Sequence, residues 1–329
     1  MTVLSVYIPD ALDEEYYRLL RSQVDPAIQI HNGDDPPDHI DVLVEGKPDP
    51  EWLHKYTSLQ ALVIPYAGVP DSTQSLMRAH PKIRVYNLHH NAQAVAEHTL
   101  AMLLALQKNL IPMHNALALG DWTPRYQSGV HGMLQGTTIL VLGFGAIGQA
   151  IARLLQPFDV SILAVRKNHR NGSNPGKDNI KSYTIDSLHD LLPNADFLII
   201  TLPLTPHTQH LISTRELALL PSHARIINVG RGAVIEQRSL YSALRSKKIA
   251  EAALDVWYNY PEDIPSRKNT YPADLPFHEL DNVLLSPHKA GGLAMKEVEE
   301  MRMQHLADVL NRILQGDETL IPVDIEAGY

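Results

Sequence analysis

Short aliphatic and β-branched runs alternate along this chain with amphipathic stretches of helical period. Runs of strand character fall at 3–8, 40–44, 61–64, 83–86, 138–142, 160–165, 197–201, 225–228, 252–255 and 283–285. Helical patterns lie between them at 13–21, 71–79, 146–155 and 237–246, with two longer ones at 92–118 and 292–314. Strands that are apolar at nearly every position are those of parallel sheets covered by helices on both faces, so the pattern predicts an α/β fold. Two polar segments read as surface loops: 167–178, with an Asn-Gly-Ser-Asn-Pro-Gly core, and 258–276, which holds four prolines. The triplet Asn171-Gly172-Ser173 in the first reads as a turn rather than a glycosylation acceptor.

Length turns one α/β pattern into two domains. At roughly 150 residues per domain, a chain of 329 residues carries about two, each able to bury a core. The 28 basic and 37 acidic residues give a net charge of -9, which discourages a nucleic-acid or anionic-membrane partner. With no cysteine, disulfides, thiolate chemistry and Cys-ligated metal are excluded. The start of the chain lacks a signal-peptide pattern, and no apolar run reaches the ~18 residues of a membrane span. A soluble, cytoplasmic protein is expected.

Chemistry first shows at 138–148. An apolar run leads into Gly143-Phe144-Gly145-Ala146-Ile147-Gly148, and a helical pattern follows. The first glycine permits a tight turn, the second lets backbone approach a pyrophosphate, and the third allows close helix–strand packing. Helix N–H groups then face the anion. An acidic residue for the ribose of NAD is expected about 20 residues on, but Arg166 and Lys167 stand there instead. A guanidinium suits a 2′-phosphate, so NADP(H) is favoured, with NAD(H) possible and solvated loop charges as the other reading.

Further segments fall in a definite order: Ala94-Val-Ala-Glu-His-Thr-Leu100, the glycine loop, Ile199-Ile-Thr-Leu-Pro-Leu-Thr-Pro-His-Thr208, Ile227-Asn-Val-Gly-Arg-Gly-Ala-Val234, Ala253-Leu-Asp-Val-Trp257 and Leu285-Ser-Pro-His-Lys-Ala-Gly291. Together they resemble the D-isomer-specific 2-hydroxyacid dehydrogenases, which include glyoxylate/hydroxypyruvate reductases. The resemblance implies two Rossmann-like or flavodoxin-like domains with parallel sheets. A dinucleotide domain of residues 99–288 would be inserted into a substrate domain of residues 1–98 and 289–329, with the active site in the cleft between them. It also implies a small 2-oxo or 2-hydroxy acid substrate and a homodimer built through residues 92–122, of which 92–119 reads equally as one long core-facing helix. Ala67, Gly68 and Val69, after Tyr66, match the loop that holds the substrate carboxylate. Thr201, Leu202, Pro203, Thr208, Val229, Gly230, Asp255 and Gly291 match cofactor-lining positions, with Asp255 on the nicotinamide carboxamide.

Arg231 sits between two glycines after an apolar strand, where a fixed fork of donors suits a carboxylate and polarises a neighbouring carbonyl. His288, with an ordinary pKa near 6.5, suits proton transfer at neutral pH and matches the family's acid and cofactor neighbour. The family pattern breaks at Tyr260, five residues past Asp255, where a glutamate usually pairs with that histidine. Tyrosine is neutral at pH 7 and only hydrogen-bonds, so His288 should titrate near or below its free value. Glu262, Asp263 or Glu279 would be the acids left to supply the missing charge. His207 with His210, and His89 with His90, are too few for zinc. Three functions follow: reduction of small 2-oxo acids with Arg231, His288 and Tyr260 at the catalytic centre, a formate-type dehydrogenase that transfers no proton, or a dinucleotide-sensing protein like the dehydrogenase-like corepressors.

Overall fold

The computed structural model describes residues 3–129, 131–167 and 179–326. The chain divides into two compact units, Met1–Asn91 with Gly292–Tyr329, and Ala92–Gly291. The first crossing therefore falls at 91/92 rather than at the expected 98/99, and the return at 291/292 rather than 288/289. The reason is packing: Val95, Ala96 and Leu103 share one core with Ile139, Ile151 and Leu155, so the whole helix from Ala92 belongs to the second unit.

The first unit runs β1 (Leu4–Ile8), α1 (Glu14–Gln23), β2 (Ile28–Asn32), β3 (Val42–Val44), α2 (Pro50–Lys55), β4 (Ala61–Ile64), α3 (Asp71–Arg78) and β5 (Arg84–Asn87). Its five strands are parallel in the order β2-β1-β3-β4-β5. Successive strand residues point to opposite faces. Val6 and Val63 join a core with Leu20, Leu306 and Leu310, while Tyr7, Leu62 and Ile64 join another with Leu53 and Met77.

The second unit runs α4 (Ala92–Gln107), α5 (Leu110–Ala118), β6 (Thr138–Leu142), α6 (Ala146–Leu155), β7 (Ser161–Val165), β8 (Ile180–Tyr183), α7 (Leu188–Leu191), β9 (Phe197–Ile200), α8 (Thr214–Leu219), β10 (Arg225–Asn228), α9 (Gln237–Arg245), β11 (Glu251–Leu254) and β12 (Val283–Leu285). The chain then returns to the first unit as α10 (Lys296–Leu314). Its sheet has the order β12-β11-β10-β9-β6-β7-β8, parallel throughout. Leu140, Leu198 and Ile226 face α7, α8 and α9; Ile139, Val141 and Ile199 face α4 and α6. The direction of winding reverses between β6 and β9, the switch point at which open α/β sheets bind ligands.

Two sequence expectations change. The pattern at 92–118 is two helices, because Asn109 takes a left-handed φ of 49° between them. The α4 half is core-facing, but α5 buries none of its residues, so the reading of 92–119 as one core-facing helix fails beyond 107. The pattern at 292–314 becomes helical only at Lys296, since Gly292 and Ala294 have φ of 73° and 62°. Among the described residues, no helix is long and apolar enough to cross a membrane.

Candidate active site

Every strand of the second sheet ends at the same edge, and most of the residues singled out from the sequence follow those ends. After β6, Gly143 turns at φ 100°, a conformation that favours glycine, and Thr201 after β9 donates from Oγ1 to its carbonyl at 2.7 Å. A Cβ on Gly148 would lie 2.3 Å from the Gly143 carbonyl oxygen, so the first turn of α6 packs flush on the loop. A Cβ on Gly145 would enter open space at the helix N-terminus. No side chain caps that terminus and no acid stands in its first turn. The N–H groups of Ala146, Ile147 and their neighbours thus sit where a diphosphate fits. Phe144 is buried beneath the loop.

Arg166 and Lys167 follow β7, next to β6, and Arg166 is pinned by its N–H to the Tyr183 carbonyl at 3.0 Å. Residues 168–178 of the polar loop, including Asn171-Gly172-Ser173, lie outside the described residues. Leu202 and Pro203 lead from Thr201 into a turn closed by Thr208, whose Oγ1 donates to the Pro203 carbonyl at 2.7 Å. The Thr208 hydroxyl therefore braces this turn.

After β10 the turn through Val229, Gly230 and Arg231 is held by Asn228, 1% exposed. Its Oδ1 accepts from the Gly230 N–H at 3.1 Å, and its Nδ2 donates to the Arg231 carbonyl at 3.0 Å. The Arg231 guanidinium, half-buried, folds back so that Nη1 donates to the Gly230 carbonyl at 2.8 Å. This fixes the fork at the strand end. Asn228 was not among the residues chosen from sequence, although it stands inside the quoted Ile227–Val234 segment.

After β12 the chain turns through Ser286, Pro287 and His288, and His288 holds a φ of 55°, a left-handed conformation costly for a residue with a Cβ. Asp255, 1% exposed after β11, holds that turn. Its Oδ1 accepts from the Lys289 N–H at 2.8 Å and from the Ser286 hydroxyl, and its Oδ2 accepts from the Ala290 N–H at 3.0 Å. Trp257 adds an indole N–H to the Ser286 carbonyl at 2.7 Å. His98, on α4, brings Nε2 to 2.9 Å from the Ser286 hydroxyl oxygen and 3.7 Å from Asp255 Oδ1. Gly291 ends the unit just beyond.

His288 is accessible but crowded. Loss of hydration lowers its pKa; Asp255 pushes it back up and Arg231 pushes it down, and the net direction is downward. This agrees in direction with the expectation, though the leading cause is burial. Of the acids proposed as substitutes for the missing glutamate, Asp263 and Glu279 face other partners. Asp263 accepts the Ser266 N–H at 2.8 Å, and Glu279 lies 4.0 Å from His278. The carboxylate acting on His288 is Asp255. Tyr260 lays its ring 5.4 Å from the imidazole, centroid to centroid, while its hydroxyl accepts the Trp257 N–H at 3.0 Å.

In the first unit, Ala67, Gly68 and Val69 follow β4 on the carboxyl edge of that sheet. Asn87 Nδ2 donates to the Ala67 carbonyl at 2.5 Å and Gln74 Nε2 to the Val69 carbonyl at 3.2 Å, so the loop's carbonyls are tied back to the unit. Among the described residues, no three histidine, aspartate or glutamate side chains converge as metal ligands.

A parallel sheet with Gly-x-Gly-x-x-Gly at its switch point, and with an arginine and a histidine after the strands on either side of β11, defines a dinucleotide-binding α/β domain. Residues 100–290 match the family model described as D-isomer specific 2-hydroxyacid dehydrogenase, NAD binding domain. That match covers more than half of the chain, which belongs to this family. It is similar to a D-3-phosphoglycerate dehydrogenase of Methanocaldococcus jannaschii, 31% identical over 229 residues that make 68% of this chain and 40% of the relative. A glyoxylate reductase of Aeropyrum pernix is 34% identical over 230 residues, 68% of this chain and 64% of the relative. The chain thus spans less than two thirds of the length of these relatives. Among solved structures, a D-isomer specific 2-hydroxyacid dehydrogenase from Xanthobacter autotrophicus Py2, in complex with NADPH and MES, superposes with a TM-score of 0.79 over 100% of both chains at 23% identity. At that identity the likeness is one of fold.

Proposed function

We propose that the protein is a reductase of small 2-oxo acids such as glyoxylate or hydroxypyruvate, with NADPH preferred over NADH. The observation that carries this reading is the placement of a fixed guanidinium, Arg231, after β10 and an imidazole, His288, after β12 on one sheet edge, with Asp255 after the intervening β11 holding the histidine turn. The glycine loop and the uncapped start of α6 fit a dinucleotide, which when bound would supply hydride to the substrate carbonyl carbon. Gly143 to Gly148 would hold its diphosphate, and Thr201, Leu202, Pro203, Thr208, Val229, Gly230, Asp255, His288 and Gly291 would line it.

The chain's own groups then divide the work. Arg231 pairs with the substrate carboxylate and draws charge toward the carbonyl oxygen. On the first unit, the N–H groups of Ala67, Gly68 and Val69 are the ones offered to a substrate carboxylate. His288 delivers its proton to the carbonyl oxygen as charge develops there. Tyr260 sets its ring against the imidazole at a tilt of 52° and adds no charge of its own. Arg166 and Lys167 follow the β7 end, where an additional 2′-phosphate would meet a cation rather than an acid. The exposed apolar side chains of α5 and the segment after it, among them Leu110, Ile111, Leu117, Leu119, Trp122 and Tyr126, support a homodimer through this face.

The test is to mix the purified protein with NADPH or NADH and a panel of 2-oxo acids, following loss of nicotinamide absorbance. Turnover of glyoxylate or hydroxypyruvate, faster with NADPH, is the expected result. Oxidation of formate without reduction of any 2-oxo acid would favour the formate-type reading. Tight dinucleotide binding without any turnover would favour a sensor.

A further inference from the structure

We propose that His98 is a positioning residue for this reaction, ordering the Ser286 hydroxyl and, through it, the Asp255 carboxylate and the turn that carries His288. The inference rests on the reading of His288 as the proton donor, and the hydrogen-bond balance gives it a direction. An ionised carboxylate only accepts, and Asp255 already accepts the Lys289 and Ala290 N–H groups that directly follow His288. The single proton of the Ser286 hydroxyl goes to Asp255 Oδ1. The Ser286 oxygen is then left to accept, and the group facing it at 2.9 Å is His98 Nε2. That nitrogen must carry a proton. All donors in the cluster therefore point one way: from His98 Nε2 to Ser286, from Ser286 to Asp255, and from the two backbone N–H groups after His288 to the same carboxylate.

His98 is supplied from 188 residues upstream, on a helix packed into the core beneath β10 and β11. Its ring is about one third exposed, yet it reaches a carboxylate that is 1% exposed. The turn it supports is under strain, because His288 keeps a left-handed φ that two backbone hydrogen bonds to Asp255 must maintain. Without the imidazole, the Ser286 hydroxyl has no partner holding its oxygen in place and is free to turn from Asp255. The carboxylate would then lose its hydroxyl donor, keep the two backbone N–H groups and bear more uncompensated charge. Its field on His288 would strengthen, and the turn would loosen. The other groups around His288 are Arg231 and the ring of Tyr260.

The experiment compares H98A and H98Q with the wild type by following the His288 imidazole in an NMR pH titration without ligand, then by the pH–rate profile of 2-oxo acid reduction. Glutamine places an amide nitrogen near the position of His98 Nε2 and can donate to Ser286. In H98A, His288 is expected to titrate higher than in the wild type, and kcat to fall about tenfold, the size expected for one lost hydrogen bond. KM for the dinucleotide should change little, since the glycine loop is untouched. H98Q should restore both the titration and kcat. An unchanged His288 titration in H98A would overturn the proposal. So would an equal shift in H98A and H98Q, which would assign His98 to helix packing. If the wild type reduces no 2-oxo acid, the functional reading fails, while the titration still decides whether His98 acts on His288.

Discussion

His288 in the second unit and His90 in the first are both drawn down by loss of hydration, in opposite electrostatic company. Around His288, Asp255 opposes burial and Arg231 assists it. Around His90, after burial itself, Arg302, His305 and His89 all push in the same downward direction, and the pKa falls to about 4. His305 accepts the His89 N–H at 3.2 Å, which gathers the cluster on α10. Burial sets the direction in both places. What differs is that His288 has a carboxylate, held by the backbone that follows it, to oppose the fall, while the groups around His90 only add to it.

The sharpest way to break this comparison is at His288. His288→Gln keeps a polar side chain of similar reach but cannot release a proton to a substrate. Reduction should slow by about 10²- to 10⁴-fold, the usual worth of a general acid. Dinucleotide affinity, read by fluorescence titration, should be nearly unchanged. On the proposed role of His288 as proton donor, the wild-type rate should fall as pH rises through its depressed pKa and be declining already at pH 7. A profile flat to pH 8, or an active H288Q, would remove His288 from the chemistry.

His90 offers the complementary test, on stability. In the folded protein it stays neutral down to about pH 4, whereas in the unfolded chain it protonates below about 6.5. Between these values the unfolded state binds more protons, so stability is fully present above pH 6.5 and is lost as pH falls toward 4. The linkage is worth about 1 to 2 kcal/mol once solvent screening of a partly exposed ring is allowed for. Urea unfolding at pH 7 and pH 4.5 should show the wild type losing that much more than His90→Gln over the interval. Equal losses in the two proteins would mean that the cluster does not hold His90 neutral.

What the sequence made legible divides along similar lines. Central strands such as β6 and β9 are visible because helices cover both faces and nearly every position is apolar. The pattern misses β2 and β8, whose sequences Ile28-Gln-Ile-His-Asn32 and Ile180-Lys-Ser-Tyr183 alternate with polar residues because both strands are sheet edges. The break at Asn109 is invisible to periodicity, since α5 continues the apolar composition of α4 while burying nothing. The glycine loop was legible because its chemistry is contiguous. The Asp255 cluster was not, because Ser286 lies 31 residues and His98 157 residues from Asp255, and only the parallel sheet brings them together.

The smallest expected effect concerns a cation that has neither the burial of His90 nor the carboxylate of His288. Arg166 stands just past β7 and is only half-buried, and no ion pair involves it among the described residues. Its charge is therefore available to an anion, but water and salt weaken what it can contribute. Arg166→Ala should lower NADPH affinity about fivefold, near 1 kcal/mol, the low end for a charge-assisted contact. NADH affinity should move less than twofold, because the diphosphate still meets the N–H groups of α6. The difference should shrink as ionic strength rises, since a pair at the protein surface is screened within about a Debye length. Equal losses for the two dinucleotides would assign Arg166 to the diphosphate or to the fold, and the preference for NADPH would then have to be sought beyond the end of β7.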